Sequence, residues 1–209
     1  ADNVPAGTDY FFTPPDVCIT TGPLASRSGT FLSFGGPNGS PVIPAGFFGA
    51  GSAAFTGDVC FKGVPLGGPG IEGLADTRVA RTGALTFAGA GCPCSSTCVA
   101  TVPIEIVALS LVSIDPITVN FGGPTSQYSV SATLSPTATQ IPGSLTAVHS
   151  CLEGGTFTSN LPVRAKLTFT KVSGASGNAS AALDHGDAAL PMPTFAVAVT
   201  APGPGLWSH

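Results

Sequence analysis

Six cysteines, in a chain rich in glycine and proline, constrain the fold more than any other feature. They are Cys18, Cys60, Cys92, Cys94, Cys98 and Cys151. The chain holds 28 glycines and 20 prolines, whereas charged residues make up only 9% of it. An even number of cysteines in such surroundings is typical of exported proteins whose loops are held by disulfides. The sequence therefore predicts an all-β, disulfide-stapled fold in an extracellular, oxidising compartment.

Three of the cysteines are crowded into residues 92–98, which admits two interpretations. Structural zinc sites usually place about two to four residues between paired cysteines, but a single residue separates Cys92 from Cys94. No histidine is adjacent, so disulfides are predicted here and a metal is not. Six cysteines allow fifteen pairings, and the sequence alone does not choose among them. Our preferred set joins Cys18 to Cys60 and gives Cys151 one member of the cluster.

The charge balance excludes whole classes of partner. Seven Lys or Arg against eleven Asp or Glu give a formal charge of −4, without the basic face that nucleic acids require. No apolar run reaches the roughly 18 residues of a membrane-spanning helix. The start at Ala1 suits a mature N-terminus left after removal of a signal peptide. We expect a secreted or cell-surface protein with no nucleic-acid partner, no membrane span and no cofactor.

The low charge also raises the question of what covers the surface. Soluble domains usually carry about 25% charged residues, far more than this chain. Either glycans or identical partner subunits would account for the difference. Two Asn-X-Ser sequons, at Asn38 and Asn178, are candidate glycosylation sites in turn-like segments. Both explanations stay open.

Short strands dominate the pattern along the chain, and no segment shows a helical period. Residues 163–171 alternate apolar and polar side chains, as expected of a half-buried antiparallel strand. Two alternating runs, 117–121 and 128–134, predict a hairpin around Gly122-Gly123. Further strands are predicted at 29–34, 53–63, 77–87, 103–113, 144–149 and 194–200. Their spacing predicts an antiparallel β-sandwich or jelly-roll-like body.

Both ends of the chain carry strand-like segments suited to joining another subunit. Residues 1–17 form a proline-flanked N-terminal arm, and residues 18–209 form the body, with a candidate subdivision near residue 100. The alternation of the arm predicts four residues that would fill pockets in a neighbouring sheet: Val4, Ala6, Tyr10 and Phe12. Residues 194–200 are apolar on both faces, so they are either central in the fold or covered by another subunit. The arm is our first candidate for the exchanged strand, and residues 194–200 are the second.

The search for catalytic chemistry gives one polar cluster and no complete constellation. Asp184, His185 and Asp187 suggest either a cation site or a polar turn, and the composition favours the turn. Residues 172–177 lack the Gly-X-Ser-X-Gly elbow of a nucleophilic serine. The remaining acids show no spacing that pairs them across a cleft. We predict that the protein is not an enzyme, and we assign no catalytic or metal-binding residue.

Several blocks of the chain resemble known sequences. The blocks are FFGAGSAAFTGDV (47–59), KGVPLG (62–67), ADT (75–77), VPIEIVALSLVS (102–113) and GGTFTSNLPV (154–163). They resemble a family of secreted β-rich proteins of environmental bacteria, which carries no assigned activity to transfer. The arm and the sandwich-like body also resemble protomers of pilus-like filaments from environmental water. That resemblance implies a structural subunit that polymerises head-to-tail by adding a strand to its neighbour.

A carbohydrate-binding or adhesive β-sandwich module is the alternative function. Such sites usually present several exposed aromatic side chains on one face. The chain has one tryptophan, Trp207, and two tyrosines, Tyr10 and Tyr128, while its phenylalanines resemble core residues. Identical subunits are therefore the first expected partner, and surface glycans are the second.

Overall fold

The computed structural model describes residues 3–13, 30–35, 42–87, 98–150, 154–187 and 195–201. In these segments the chain is all-β, with antiparallel strand pairing and one short helix, α1 (Ile71–Leu74). The strands are β1 (Asn3–Val4), β2 (Gly7–Phe11), β3 (Thr30–Phe34), β4 (Gly57–Gly63), β5 (Thr77–Arg81), β6 (Leu85–Thr86), β7 (Cys98–Ser113), β8 (Ile117–Asn120), β9 (Thr125–Leu134), β10 (Gly143–Ser150), β11 (Gly154–Val163), β12 (Ala165–Ser173), β13 (Ser180–Asp184) and β14 (Phe195–Ala201).

The long strand β7 organises the sheet because it pairs with four others. Residues 98–104 pair with β10, and residues 110–112 pair with β9. Residues 104–109 pair with β5, and residues 111–113 pair with β4. Because β5 and β10 both pair with Ile104, they lie on opposite edges of β7. Leu111 pairs with both β4 and β9, which therefore also lie on opposite edges. Ser110 donates its N–H to the Asp76 carbonyl and accepts at its own carbonyl from the Val64 N–H, so β4 and β5 follow one another along one edge, and β9 and β10 along the other.

The remaining strands extend this arrangement outwards. On one side β11 pairs with β10 and β12 pairs with β9, and only Arg164 separates these two outer strands. β14 and β13 pair in turn with β11 and β12. On the other side β2 pairs with β5, and β3 pairs with β4. In the part of the chain that the structure describes, β2 pairs with β5 alone and so lies at an edge of the sheet.

A β-bulge keeps the apolar face of β7 continuous. Ile104 and Ile106 are buried, and beyond them the buried positions shift to Leu111. The adjacent residues Arg78 and Val79 of β5 pair with Ala108 and Ile106 of β7. Val107 is therefore left without a partner in β5, and it is 49% exposed. The inserted residue changes the alternation from even to odd positions, so both halves of the strand bury the same face.

Two hydrophobic clusters fill the interior, one towards each end of β7. The first cluster is rich in aromatic residues and includes the fully buried Phe48 and Tyr128. The second cluster is mainly aliphatic and includes the buried Leu85 and Ile104. Leu109 packs against both. Since β7 passes from one cluster to the other, the clusters are not sequential domains.

Several sequence predictions about strands are confirmed. The four apolar residues expected to face inwards from 163–171 are all buried, namely Val163, Ala165, Leu167 and Phe169. β8 and β9 form the predicted hairpin, with Ile117 opposite Tyr128. The predicted strand 77–87 is instead two strands, β5 and β6, and the predicted strand 53–63 is confined to β4.

Two expectations about organisation can be compared with the fold. Residue 100 lies inside the continuous strand β7, so a subdivision at that position would cut the strand. β14, which covers most of the predicted strand 194–200, pairs with β11 alone among the described residues. Within the described segments it therefore lies at an edge of the sheet. Its contact with another subunit stays a prediction.

Candidate strand-docking site

The arm, defined here as residues 3–13, docks on the body of its own chain as two short strands. β1 pairs with β6, with Val4 opposite Leu85. β2 pairs with β5 over five residues, while the other edge of β5 pairs with β7. We define the groove as this outer edge of β5 together with β6, Asp76 and Phe157. The arm fills the groove and completes the sheet at that edge.

Arg81 holds the arm from the groove side. Its Nε lies 2.8 Å from Asp9 Oδ2, and its Nη1 donates to the Pro5 carbonyl at 2.9 Å. The Arg81 and Asp9 side chains are 11% and 31% exposed, so this pair is better shielded than an ordinary surface ion pair. Gly7 lies directly opposite Arg81, and a Cβ there would come within 3.2 Å of Nη2. Glycine at position 7 therefore leaves room for the guanidinium to reach both partners.

Asp76 holds the C-terminal end of the arm and is buried. Its carboxylate accepts hydrogen bonds from the N–H and hydroxyl of Thr13 and from the hydroxyl of Thr77. Its own N–H donates to the Phe11 carbonyl at 3.2 Å. A buried carboxylate requires such donors, because desolvation without them is costly. A Cβ on Gly63 would collide with Asp76 Oδ2 unless the carboxylate shifted, so glycine leaves the space that the carboxylate occupies.

Aromatic contacts complete the docking of the arm. Phe11 packs against the second cluster, with its ring edge-on to Phe157 at 6.4 Å between centroids. Tyr10 faces the opposite side of the sheet, where the guanidinium of Arg78 lies 6.0 Å from its ring centre. Desolvation, followed by a hydrogen bond with Glu72, raises the pKa of Tyr10 above its ordinary value of 10.0.

The four predicted contact residues of the arm have different environments in the docked monomer. Val4 packs against the second cluster, and Tyr10 is half-buried. Ala6 is exposed, and Phe12 is 52% exposed. The role of these residues in polymerisation stays a prediction, but Phe12 does not pack into the groove of its own chain.

The inward-facing residues of β2 and its continuation differ from the four predicted contact residues of the arm. The interruption at Pro5-Ala6 separates β1 from β2 and resets the alternation. Asp9, Phe11 and Thr13 then face the groove. The proline was the available signal, because proline seldom lies inside a paired strand and commonly marks its end.

Two of the six cysteines, Cys60 and Cys98, lie in the described residues, and both are disulfide-bonded. The Cys60 carbonyl accepts from the Ile114 N–H, just beyond one end of β7, whereas Cys98 begins that strand. The 16 residues of β7 span about 50 Å, far beyond the reach of one disulfide. These two cysteines therefore belong to different disulfides. The other cysteines, Cys18, Cys92, Cys94 and Cys151, lie outside the described residues, so the pairing of Cys18 with Cys60 stays a prediction.

Of the two sequons, the structure describes the one at Asn178. This exposed residue precedes β13. Its N–H donates to the Phe48 carbonyl at 2.7 Å, and its carbonyl accepts from the Tyr128 hydroxyl at 3.0 Å. The main chain is therefore fixed by the first cluster at a solvent-exposed position. Asn38 lies outside the described residues, and both sequons stay candidate glycosylation sites.

The polar segment that follows β13 has the hydrogen bonds of a turn. The Asp187 N–H donates to the Asp184 carbonyl at 2.9 Å. The Asp184 carboxylate accepts from the Ser135 hydroxyl and the Gly186 N–H. In the described ranges, no group of three or more His, Cys, Asp or Glu side chains is arranged to hold a metal ion.

A shallow cavity of about 360 Å³ opens between β4 and the start of β8. Phe55, Asp58 and Asp115 contribute to its lining. The Ser33 hydroxyl donates to Asp58 at 2.6 Å, and Phe55 packs edge-on against Phe34. The Phe55 ring is thus engaged in packing and does not form a flat, exposed platform on which a sugar would stack.

Comparison with protein-family models, curated proteins and solved structures gives no significant match. In the part of the chain that the structure describes, no helix has the length and apolar character needed to cross a membrane. The fold and the docking site define the chain as an all-β, sandwich-like protein whose N-terminal strand occupies a groove on its own body.

Proposed function

We propose that this protein is the structural subunit of an extracellular filament, in which the arm of one subunit docks in the groove of the next. The supporting observation is the way in which the arm binds. Its hydrogen bonds to Asp76 and Arg81 join residues 63 to 76 positions apart in the chain. No local chain geometry requires these partners to belong to one molecule.

The connection between arm and body is long enough for exchange. With Cys18 joined to Cys60 as predicted, residues 14–17 form the hinge, and residues 3–17, once released, span up to about 50 Å from that anchor when extended. An arm that leaves its own groove and enters a neighbour's forms the same hydrogen bonds and ion pair again. Its main-chain ladder and alternate side chains supply affinity and register, as in other strand-addition contacts.

The asymmetry of the contact favours a fibre. Arm and groove are different surfaces, so each added subunit leaves one free arm and one free groove. A contact of this kind continues indefinitely unless the rotation between subunits closes a ring. A homopolymer of identical subunits is therefore the expected assembly.

The composition of the surface also supports an assembled state. Several large apolar side chains are about half exposed or more: Phe12, Leu74, Val99, Val107 and Val172. Single exposed apolar residues are ordinary. In this chain they combine with a charged fraction of only 9%, which gives weak electrostatic protection against association. Subunit contacts in a polymer would cover part of this surface.

The cysteines support an extracellular compartment. Because Cys60 and Cys98 are oxidised in separate disulfides, the fold suits an oxidising environment rather than a reducing cytosol. We therefore place the filament outside the cell.

Electron microscopy of full-length protein tests the proposal. Wild-type protein is expected to form filaments, whereas Asp9→Arg is expected to reduce them strongly by placing a second positive charge beside Arg81. The matched control is the double variant Asp9→Arg, Arg81→Asp, which restores an opposite-charge pair and should restore filaments. The proposal fails if wild-type protein gives only single particles, or if filaments of Asp9→Arg are indistinguishable from wild type.

The alternative, a carbohydrate-binding module, has less support. Tyr128 is fully buried, and Phe55 packs in the wall of its cavity. Tyr10 lies beside the guanidinium of Arg78 at the docking site. The described residues thus give no cluster of exposed rings on one face, and Trp207 lies outside them.

A further inference from the structure

We infer that the groove is a register-selective receptor for one kind of extended peptide: a strand carrying a carboxylate, an aromatic ring and a hydroxyl at alternate positions. In this chain those groups are Asp9, Phe11 and Thr13. The inference deepens the proposed function, because it concerns the same groove and names its ligand. It is nevertheless testable without filaments.

The groove carries opposite charges at its two ends. A positive group, Arg81, receives Asp9, and a negative group, Asp76, receives the N–H and hydroxyl of Thr13. Between them Phe11 contacts Phe157. The two polar determinants have opposite charge and lie at opposite ends of the contact. The groove therefore distinguishes the direction of a peptide as well as its composition.

The second step is register. A shift of one residue would turn Asp9 and Phe11 to the other face, because side chains alternate along a strand. A shift of two residues in one direction would bring Asp9 opposite Thr77, beside the carboxylate of Asp76. A shift of two in the other direction would bring Thr13 opposite Thr77 and remove its N–H from Asp76. The observed register satisfies both charged determinants, and these neighbouring registers do not.

The third step concerns competition. The chain's own arm occupies the groove, so a second arm or a free peptide must displace it. Self-docking therefore caps the subunit, and weakening the resident arm should make the groove available. The capped monomer and the exchanging subunit use the same determinants, Arg81 and Asp76.

The experiment uses the full chain with a weakened resident arm. The receptor carries Asp9→Arg and Phe11→Ala, and the probe is a fluorescein-labelled peptide of residues 3–13 with the wild-type sequence. Amide hydrogen exchange of residues 7–11 verifies that the resident arm has been released. Fluorescence anisotropy should show at least about tenfold tighter binding to this receptor than to wild-type protein, whose own arm competes.

A charge swap tests selectivity. The same peptide with Asp9→Arg should bind the receptor at least about tenfold more weakly, since it brings a positive charge to Arg81. A second receptor keeps Asp9 and carries Phe11→Ala with Arg81→Asp, so that two negative charges release its own arm. It should reverse the preference between the two peptides. A reversal shows that both receptors are folded and that position 81 selects the ligand.

Two results would overturn the inference: equal affinity for both peptides, or no binding to a receptor whose arm is released. Selective peptide binding without wild-type filaments would retain the receptor and remove the proposed function. Wild-type filaments without peptide selectivity would retain the proposed function and remove the selective receptor.

Discussion

Arg81 and Asp9, 72 positions apart in the chain, meet with Nε 2.8 Å from Oδ2. The same guanidinium donates to the Pro5 carbonyl, so one side chain contacts both the strand β2 and the link that precedes it. Proline at position 5 has a carbonyl but no N–H, and it accepts from the groove at the point where strand pairing is interrupted. The arm is thus fixed by a side chain where its main-chain ladder stops.

Replacing Arg81 with Met should loosen the arm without unfolding the body. The substitution removes a charged hydrogen bond to Asp9 and another to Pro5, at a cost of about 1–2 kcal/mol in a partly shielded site. Arg81→Lys should lie between wild type and Arg81→Met, because an ammonium lacks the fork that reaches both partners. Amide exchange of residues 7–11 measures the effect. Arg164→Met, remote from the arm, is the control, and equal protection in all variants would contradict the prediction.

Gly63→Ala should displace the carboxylate of Asp76 and release Thr13. A Cβ at this position has no room beside Oδ2, and overpacking of this kind costs about 1–3 kcal/mol. Gly83→Ala is the matched control, because its Cβ would meet Val102 Cγ2 at an ordinary 3.5 Å. We expect the melting temperature to fall by several degrees for Gly63→Ala and to change little for Gly83→Ala. A similar melting temperature for both would show that Asp76 adjusts freely.

Tyr128→Phe should destabilise the first cluster by about 1 kcal/mol at neutral pH, since it removes the hydrogen bond to the Asn178 carbonyl. Burial raises the pKa of Tyr128 above its ordinary value of 10.0. The neutral phenol therefore stabilises the fold at and below pH 10, and this contribution is lost as the pH rises through the folded-state pKa. Denaturant unfolding at pH 8 and pH 11 measures the free energy of unfolding of both proteins. The difference between wild type and variant should be smaller at pH 11 than at pH 8. A constant gap would exclude this linkage.

Asp184→Asn should give the opposite pH dependence. Burial opposes ionisation of Asp184, but hydrogen bonds from Ser135, Gly186 and Thr137, with the charge of Lys166, hold its pKa below 3.8. The stabilisation is present above the unfolded-state pKa and is lost as the pH falls through the folded-state pKa. In urea unfolding, the free energy of unfolding of Asp184→Asn should be about 1 kcal/mol below that of wild type at pH 7. This difference should become smaller as the pH approaches 3. A deficit that persists undiminished at pH 3 would point to packing instead.

Disulfide mapping of non-reduced peptides should find Cys60 and Cys98 in different crosslinks. We expect Cys60 to be joined to Cys18, because the Gly63 N–H donates to the Thr13 carbonyl at 3.4 Å. Cys60 precedes Gly63 by three residues, and Cys18 follows Thr13 by five. Each cysteine is therefore only a few residues from this hydrogen bond, which brings the two segments together. A crosslink between Cys60 and Cys98 would contradict the geometry of β7.

Most strands were predictable from the sequence, because a half-buried strand alternates apolar and polar residues. The inward set predicted for 163–171 alternates without interruption from Val163 to Phe169, and these residues are buried, whereas most of β11 was not predicted. The hairpin of β8 and β9 was predictable because Gly122-Gly123 marks its turn. Both signals are local, so they depend on neighbours in the chain.

The docking site was less predictable, because its determinants depend on pairing between distant segments. Phe12 resembles an anchor when the arm is read as one strand, but the break at Pro5 makes Phe11 the inward residue. The partner of Asp9 is more than 70 residues away, and no local spacing indicates it. The bulge at Val107 is similarly invisible, since it is defined by the register with β5.

The path of β7 through both hydrophobic clusters has a mechanical consequence. Strands β4, β5, β9 and β10 run antiparallel beside it, so a pull directed along β7 loads their hydrogen-bond ladders in shear. Under shear the bonds of a ladder resist together, whereas under peeling they open one after another. A fold built around this strand transmits tension from one end to the other without placing the whole load on any single bond.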